Sequence, residues 1–163
     1  MDNELTHVTR DGRITMVDVG EKAVTKRVAL AEAYVHLSEN TLHLLKNQAL
    51  PKGDALDCAR VGGILAAKDT SRLIPLCHSL NTTFVDVRFD VLEEPPRIRI
   101  ESEARCNGET GVEMEAIVAA EVAAAIIYDM CKAVQRDITI EGIRLLYKNG
   151  GRSGEYCAQG FSL

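Results

Sequence analysis

Asp129 and Lys132 stand three residues apart in the stretch YDMCKA, directly after a long apolar run. On a helix, residues at i and i+3 share a face, so a carboxylate and an ammonium at this spacing can meet. The bland reading is a solvated ion pair, which contributes little. The chemical reading is proton transfer, because burial at a helix end shifts the pKa values of an acid and a base together. Two further lysines sit beside glycines: Lys52 in PKGD, and Lys148 in YKNGGRSG, where Arg152 follows. A cation among exposed backbone N–H groups suits phosphate oxygens. Neither segment is a P-loop, since G-x-x-x-x-G-K-[ST] is absent, and each alone reads as a solvated turn. With Lys132 they offer three lysines in loops or at element ends, which suits a polyphosphate.

PLCHS sets Cys77 beside His78. Neighbours on a strand point to opposite faces, which disfavours a Cys–His nucleophilic pair. A lone His is more often structural than functional. No second Cys or His stands at ligand spacing, so no metal site is expected. The five cysteines are odd in number and form no C-x-x-C, which argues against a disulfide framework and a zinc ribbon. Most should serve as small buried hydrophobes.

The element that must position the Asp129–Lys132 pair is Thr110 to Gln135. Thr110 is a good N-cap, and Glu113, three residues on, completes a capping box. The Ala-rich run that follows favours helix over about 36 Å. From Ala116 to Tyr128 its only charge is Glu121, and a helix apolar nearly all round is buried on more than one side. That apolar run is too short for a membrane span, which needs about 20 apolar residues. It is expected to pack on its own sheet and against something else, another subunit being one option.

Other elements follow from periodicity and caps. Val24 to Leu37 fits a helix or a strand, and the pattern does not decide between them. Ser38 caps a helix ending near Asn47, and Asp54 caps a second one running to Asp69. Gly62-Gly63 within the second predicts close approach of another backbone. Ser71 to Leu80 holds Pro75 and reads as loop or strand edge. Thr83 to Val91 and Arg97 to Cys106 alternate apolar and charged residues, the mark of antiparallel strands with one wet face. Glu93 to Pro96 turns between them. Ile138 to Lys148 is a last strand.

The chain has 163 residues, 46% hydrophobic and 26% charged, which fits one domain. Residues 1–12 are expected to be loose, 13–149 to form the core, and the Gly-rich 150–163 to be a mobile tail. A net charge of −5 and the absence of Trp argue against nucleic-acid binding by bulk charge or base stacking. MDNELTHVTRDG has the character of neither a signal nor a transit peptide, and the expected location is the cytoplasm.

The blocks THV…MVDV, KGD with ARVGGILAAK, LIPLCH, TGVEMEA, IYDMCKAVQ and IRLLYKNGGRSG occur in this order from about Leu5 to Tyr156. The chain thereby resembles the molybdenum cofactor biosynthesis protein C family over nearly its whole length. The resemblance implies a strand at Val24 to Leu37. It implies an α+β, ferredoxin-like protomer: a four-stranded antiparallel sheet with helices on one face, plus one extra helix. It further implies a homohexamer, a trimer of dimers with active sites at the dimer interface. The implied activity is cyclic pyranopterin monophosphate synthase, working downstream of a radical GTP cyclase without a cofactor. Its substrate would be 3′,8-cyclo-7,8-dihydroguanosine 5′-triphosphate, with pyrophosphate lost. Asp129 matches the family's catalytic acid and Lys132 its lysine partner. Leu76, Cys77 and His78 match one substrate-binding strip, and Met114 with Glu115 a second. Lys52, Glu113, Lys148 and Arg27 match further pocket residues. Ser79 departs from the usual Pro and is expected to loosen the loop carrying His78. The rival classes are a non-catalytic ferredoxin-like sensor of small molecules and a metal-dependent phosphohydrolase. The latter lacks a clustered carboxylate set.

Overall fold

Alternation of apolar and polar residues builds an antiparallel sheet, and small residues on one face of it let a helix lie close. The computed structural model describes residues 7–9 and 11–163. The expected looseness of residues 1–12 falls outside the described residues for 1–6 and 10; among the others, Val8 bridges Ile14. The elements are β1 (Thr25–His36), α1 (Glu39–Lys46), α2 (Ala55–Lys68), α3 (Thr70–Leu73), β2 (Thr82–Glu93), β3 (Pro96–Gly108), α4 (Glu113–Cys131), β4 (Thr139–Asn149) and β5 (Tyr156–Cys157). The sheet order is β2-β3-β1-β4-β5, antiparallel throughout. The first four strands with α2 and α4 form the ferredoxin-like plan, and α1 is the extra helix.

Val24 to Leu37 is a strand, β1. Its inward residues Ala29, Ala31, Ala33 and Val35 are fully buried, as are Ile98, Ile100 and Ala104 of β3. Against this floor α4 sets Ala116, Ala119, Ala120, Ala123 and Ala124, also fully buried. The inward Ser102 donates to the carbonyl of Ala116 at 2.6 Å, satisfying a hydroxyl inside the core.

Both expected caps form: Ser38 accepts from the Thr41 amide, and Asp54 from those of Leu56 and Asp57. Of the glycine pair in α2, Gly62 faces the Ile126 side chain and Gly63 meets another backbone. A Cβ on Gly63 would lie 2.8 Å from the carbonyl oxygen of Ala119 in α4. Gly63→Ala is therefore expected to overpack the α2–α4 contact and cost about 1–3 kcal/mol, read as a lower denaturation midpoint.

Five expectations are corrected. The helix does not begin on Thr110 or run to Gln135; Val112 is its N-cap position without a side-chain bond, and Lys132 its C-cap. The capping box fails because the Glu113 side chain folds over Gly111, where any Cβ would overlap the carboxylate, and reaches Lys148 at 3.2 Å. Ser71 to Leu80 is not all loop or strand edge, for the first residues close the short α3. Residues 150–163 are not a free tail: Tyr156 and Cys157 pair with Lys148 and Tyr147, adding a fifth strand to the four expected. The charged face of the hairpin and the adjoining β1 is not uniformly wet either. Glu32 is 2% exposed and Glu103 8%, held by Arg99, Arg144, Arg88 and Arg105.

Candidate active site

The expected site residues fall into two groups at opposite ends of α4. At its C-terminal end, Asp129 Oδ1 lies 2.7 Å from Lys132 Nζ, and Oδ2 lies 2.7 Å from Lys52 Nζ. Lys52 arrives from the loop between α1 and α2, whose turn is fixed by the Asp54 cap. The Lys132 ammonium, then that of Lys52, holds the Asp129 carboxyl down at about 2, and Asp129 in turn raises Lys132. Both side chains of the pair are half exposed in the single chain, and the expected desolvation is outweighed by the neighbouring charges. Charge, not burial, sets their protonation: a carboxylate between two ammonium groups.

At the N-terminal end two cavities adjoin. One, of about 510 Å³, is lined by Leu76, Cys77 and His78 on one side and Glu113, Met114 and Glu115 on the other. The second, of about 570 Å³, is lined by Arg27 and Lys148 and shares Glu113, Thr110, Gly111 and Lys22 with the first. Cys77 and His78 do not lie on a strand, so the opposite-faces argument does not apply, and both face one cavity.

His78 Nε2 lies 2.7 Å from the carbonyl oxygen of Val17. A carbonyl only accepts, so Nε2 carries the proton, and Nδ1 of the neutral ring is an acceptor. Ser79, at the departure from the family pattern, donates its hydroxyl to Ser71 at 3.1 Å.

Glu115 is 4% exposed. Burial pushes its carboxyl up to about 7, and the like charge of Glu113 adds to the rise. Burial, and then Glu115, also push the Cys77 thiol up. Cys77 therefore presents a thiol to the cavity at neutral pH rather than a nucleophilic thiolate. The raised Glu115 has a stability consequence. The folded state holds this proton through a pH range in which the unfolded chain has lost it, so stability falls as pH rises from about 4.5 to 7. Glu115→Gln is expected to stabilise the protein at pH 8, by at most on the order of 3 kcal/mol, and to leave it unchanged at pH 4. Chemical denaturation at the two pH values measures this.

Sequence reasoning missed three features. Lys22 lines both cavities, yet nothing in its local pattern marks it. The Val17 carbonyl that fixes the His78 ring lies in the MVDV block, whose residue types do not mark that contact. Gly111 makes room for Glu113, and the T-G-x-E spacing, read as a cap, was its only signal. Among the described residues no three His, Cys, Asp or Glu side chains are grouped to hold a metal ion, and no helix is long and apolar enough to cross a membrane.

Known proteins are similar to this chain over nearly its whole length. A relative from Desulfovibrio desulfuricans is 61% identical over 158 residues, 97% of either chain, and one from Nitratidesulfovibrio vulgaris is 56% identical over 154 residues, 94% of this chain and 96% of its own. A third, from Oleidesulfovibrio alaskensis, is 56% identical over 97% of this chain and 99% of its own. Each of the three is a cyclic pyranopterin monophosphate synthase. The sequence model of the MoaC family matches residues 16–151, a span that holds both ends of α4 and every residue placed above in the two groups. On that match and those identities, the chain belongs to the MoaC family.

Proposed function

We propose that this chain is a cyclic pyranopterin monophosphate synthase of molybdenum cofactor biosynthesis. It acts in the cytoplasm on 3′,8-cyclo-7,8-dihydroguanosine 5′-triphosphate, which a radical GTP cyclase supplies. The observation that carries this reading is end-to-end identity of 56–61% with proteins of that name. The geometry supplies groups for each part of the work. Opening the purine and closing the pyranopterin ring move protons. The Lys132 ammonium is a donor, the Asp129 carboxylate an acceptor, and Glu115, near 7, exchanges a proton in either direction. A substrate hydroxyl then attacks the α-phosphorus and pyrophosphate leaves. Cations over the phosphates stabilise the charge that develops there. Leu76, Cys77, His78, Met114 and Glu115 hold the base, while Lys148, Glu113, Arg27 and Lys52 complete the pocket.

One chain does not bring these groups together. Sixteen residues of α4 separate Glu113 from Asp129, about 24 Å along the axis. The active unit is a dimer within a homohexamer. Val61, Leu65 and Leu73 stand exposed along α2 and α3, an apolar stripe suited to a second copy. A copy packed antiparallel across this helical layer sets the Asp129 group of one protomer against the cavities of the other.

Incubation with the cyclised GTP intermediate tests the reaction: pyrophosphate and pterin should appear in equal amounts. Pure, folded protein that releases no pyrophosphate from it would overturn the reading. Light scattering should show the hexamer; a stable folded monomer at micromolar concentration would remove the interface.

A further inference from the structure

Lys52 reaches Asp129 from a loop, and a loop side chain keeps its place only where the backbone under it is held. The start of this loop is fixed because α1 is pinned to the far end of α4: the Gln135 side-chain carbonyl accepts from the Ser38 amide at 2.8 Å. α1 then ends in a Schellman turn. The Ala49 amide donates to the Leu44 carbonyl at 2.8 Å, and the Gln48 amide to that of Leu45 at 3.1 Å. Leu50, 5% exposed, anchors the loop in the core. The Gly53 amide closes a turn on the Leu50 carbonyl at 3.0 Å. Asp54 then starts α2 as its N-cap.

A Schellman turn needs one left-handed residue, and Gly is the usual one because a Cβ is penalised there. Here that residue is Gln48, at φ 53°, and among the described residues it is the one non-glycine with a positive φ. A side chain kept in a conformation that Gly would adopt freely points to a task for that side chain. Gln48 Nε2 donates to Asp54 Oδ2 at 2.9 Å, while Asp54 Oδ1 accepts from the Leu56 and Asp57 amides, each at 3.0 Å. A carboxylate only accepts, so the amide nitrogen is the end that faces it. The bond joins the two ends of the loop across residues 49–53, and Lys52 rides on the segment so closed. Its Nζ lies 2.7 Å from Asp129 Oδ2, with Lys132 on the other oxygen.

We infer that Gln48 is a positioning residue: by clamping the loop to Asp54 it holds Lys52 against Asp129 and keeps that carboxylate between two ammonium groups. The inference rests on the synthase reading for the reaction that Lys52 and Asp129 serve, and adds what sets Lys52 in place. With the clamp gone, residues 49–53 recover backbone freedom, and Lys52 spends only part of its time on Asp129.

Gln48→Gly removes the clamp but suits the left-handed turn, so it should fold with a denaturation midpoint close to that of wild type. Its pyrophosphate release from the cyclised GTP intermediate should slow about tenfold, because a small misplacement of a site group is costly. Gln48→Glu keeps the length, loses the donor and sets a carboxylate against Asp54, so at neutral pH it should slow as much. In a Lys52→Ala background, Gln48→Gly should cost less than about twofold more, since a residue that acts through Lys52 has nothing left to place. A second readout needs no turnover. Lys132 and then Lys52 hold the Asp129 carboxyl at about 2. An NMR titration of the carboxyl carbons should therefore show Asp129 titrating higher in Lys52→Ala and, by part of that rise, in Gln48→Gly. Wild-type rates in Gln48→Gly and Gln48→Glu, an equal loss from Gln48→Gly with and without Lys52, or an Asp129 titration that stays put in Gln48→Gly overturns the clamp. A wild type that releases no pyrophosphate from the intermediate refutes the synthase reading, and the Asp129 titration then decides the clamp by itself.

Discussion

Asp129→Asn is expected to slow pyrophosphate release by about a thousandfold, while the affinity for substrate stays near that of the wild type. General acid–base groups contribute roughly a hundredfold to ten-thousandfold, and a thousandfold is about 4 kcal/mol of barrier. The amide keeps the shape of the carboxylate and loses its ability to take up a proton. Asp129 is held at about 2 by Lys132 and Lys52, and Lys132 is raised by Asp129. At neutral pH the pair therefore rests as carboxylate and ammonium, already in the states needed of base and acid. Lys132→Ala removes the donor, and also one of the two cations that keep Asp129 ionised, so its loss should be of the same size. If the two act as a unit, the double variant is little worse than either single one, since knocking out any member already disables the set. The pair by itself gives a flat pH–rate profile from about pH 4 to 9, so a break near 7 would belong to Glu115. Fully additive losses, or either single variant within tenfold of wild type, would defeat the proposal. A sensor of small molecules would instead keep binding its ligand and show no pyrophosphate release even as wild type.

The sheet was legible because its signals are local. Period-two alternation marks β2 and β3, and the Ser38 and Asp54 caps mark α1 and α2. β1 was not legible from pattern alone. Its inward face is Ala29, Ala31, Ala33 and Val35, small residues whose weak hydrophobic signal leaves helix and strand level; only the family resemblance decided it. Long-range choices were hidden as well. Whether Glu113 bonds back to its own cap or across to Lys148 depends on β4 lying beside the start of α4, and no spacing within TGVEMEA encodes that. The last residues looked like a tail because six of them, Asn149 to Gly154, carry three glycines. Two of them, Gly150 and Gly151, make room for Arg27, after which the chain turns back to pair with β4. At the site, residue types were readable, whereas the electrostatics were not. Glu115 and Asp129 are both carboxylates on one helix. One is buried without a cation and titrates near 7; the other sits between two lysines and titrates near 2.

Two inactive variants are expected to restore activity when their subunits are mixed. His78→Ala damages the cavity at the N-terminal end of α4, and Asp129→Asn removes the base at the C-terminal end. If each site takes its cavity from one protomer and its Asp129 from the other, homodimers of either variant have two dead sites. A mixed dimer differs, because a twofold interface repeats the same contact with the roles exchanged. One of its sites combines both lesions. The other combines the intact cavity of the Asp129→Asn chain with the intact Asp129 of the His78→Ala chain, and works normally. Random reassociation makes about half the dimers mixed, and one site in two works in each, so about a quarter of wild-type activity should return. The mixture is prepared by co-refolding or co-expression, and pyrophosphate release is read against each variant refolded alone. A pair of lesions on the same side, His78→Ala with Glu115→Ala, should give no recovery, because every site in the mixture then carries at least one damaged cavity residue. No recovery from the first pair, in mixed assemblies verified by mass, would mean that a single chain closes the roughly 24 Å between the two groups by moving rather than by pairing.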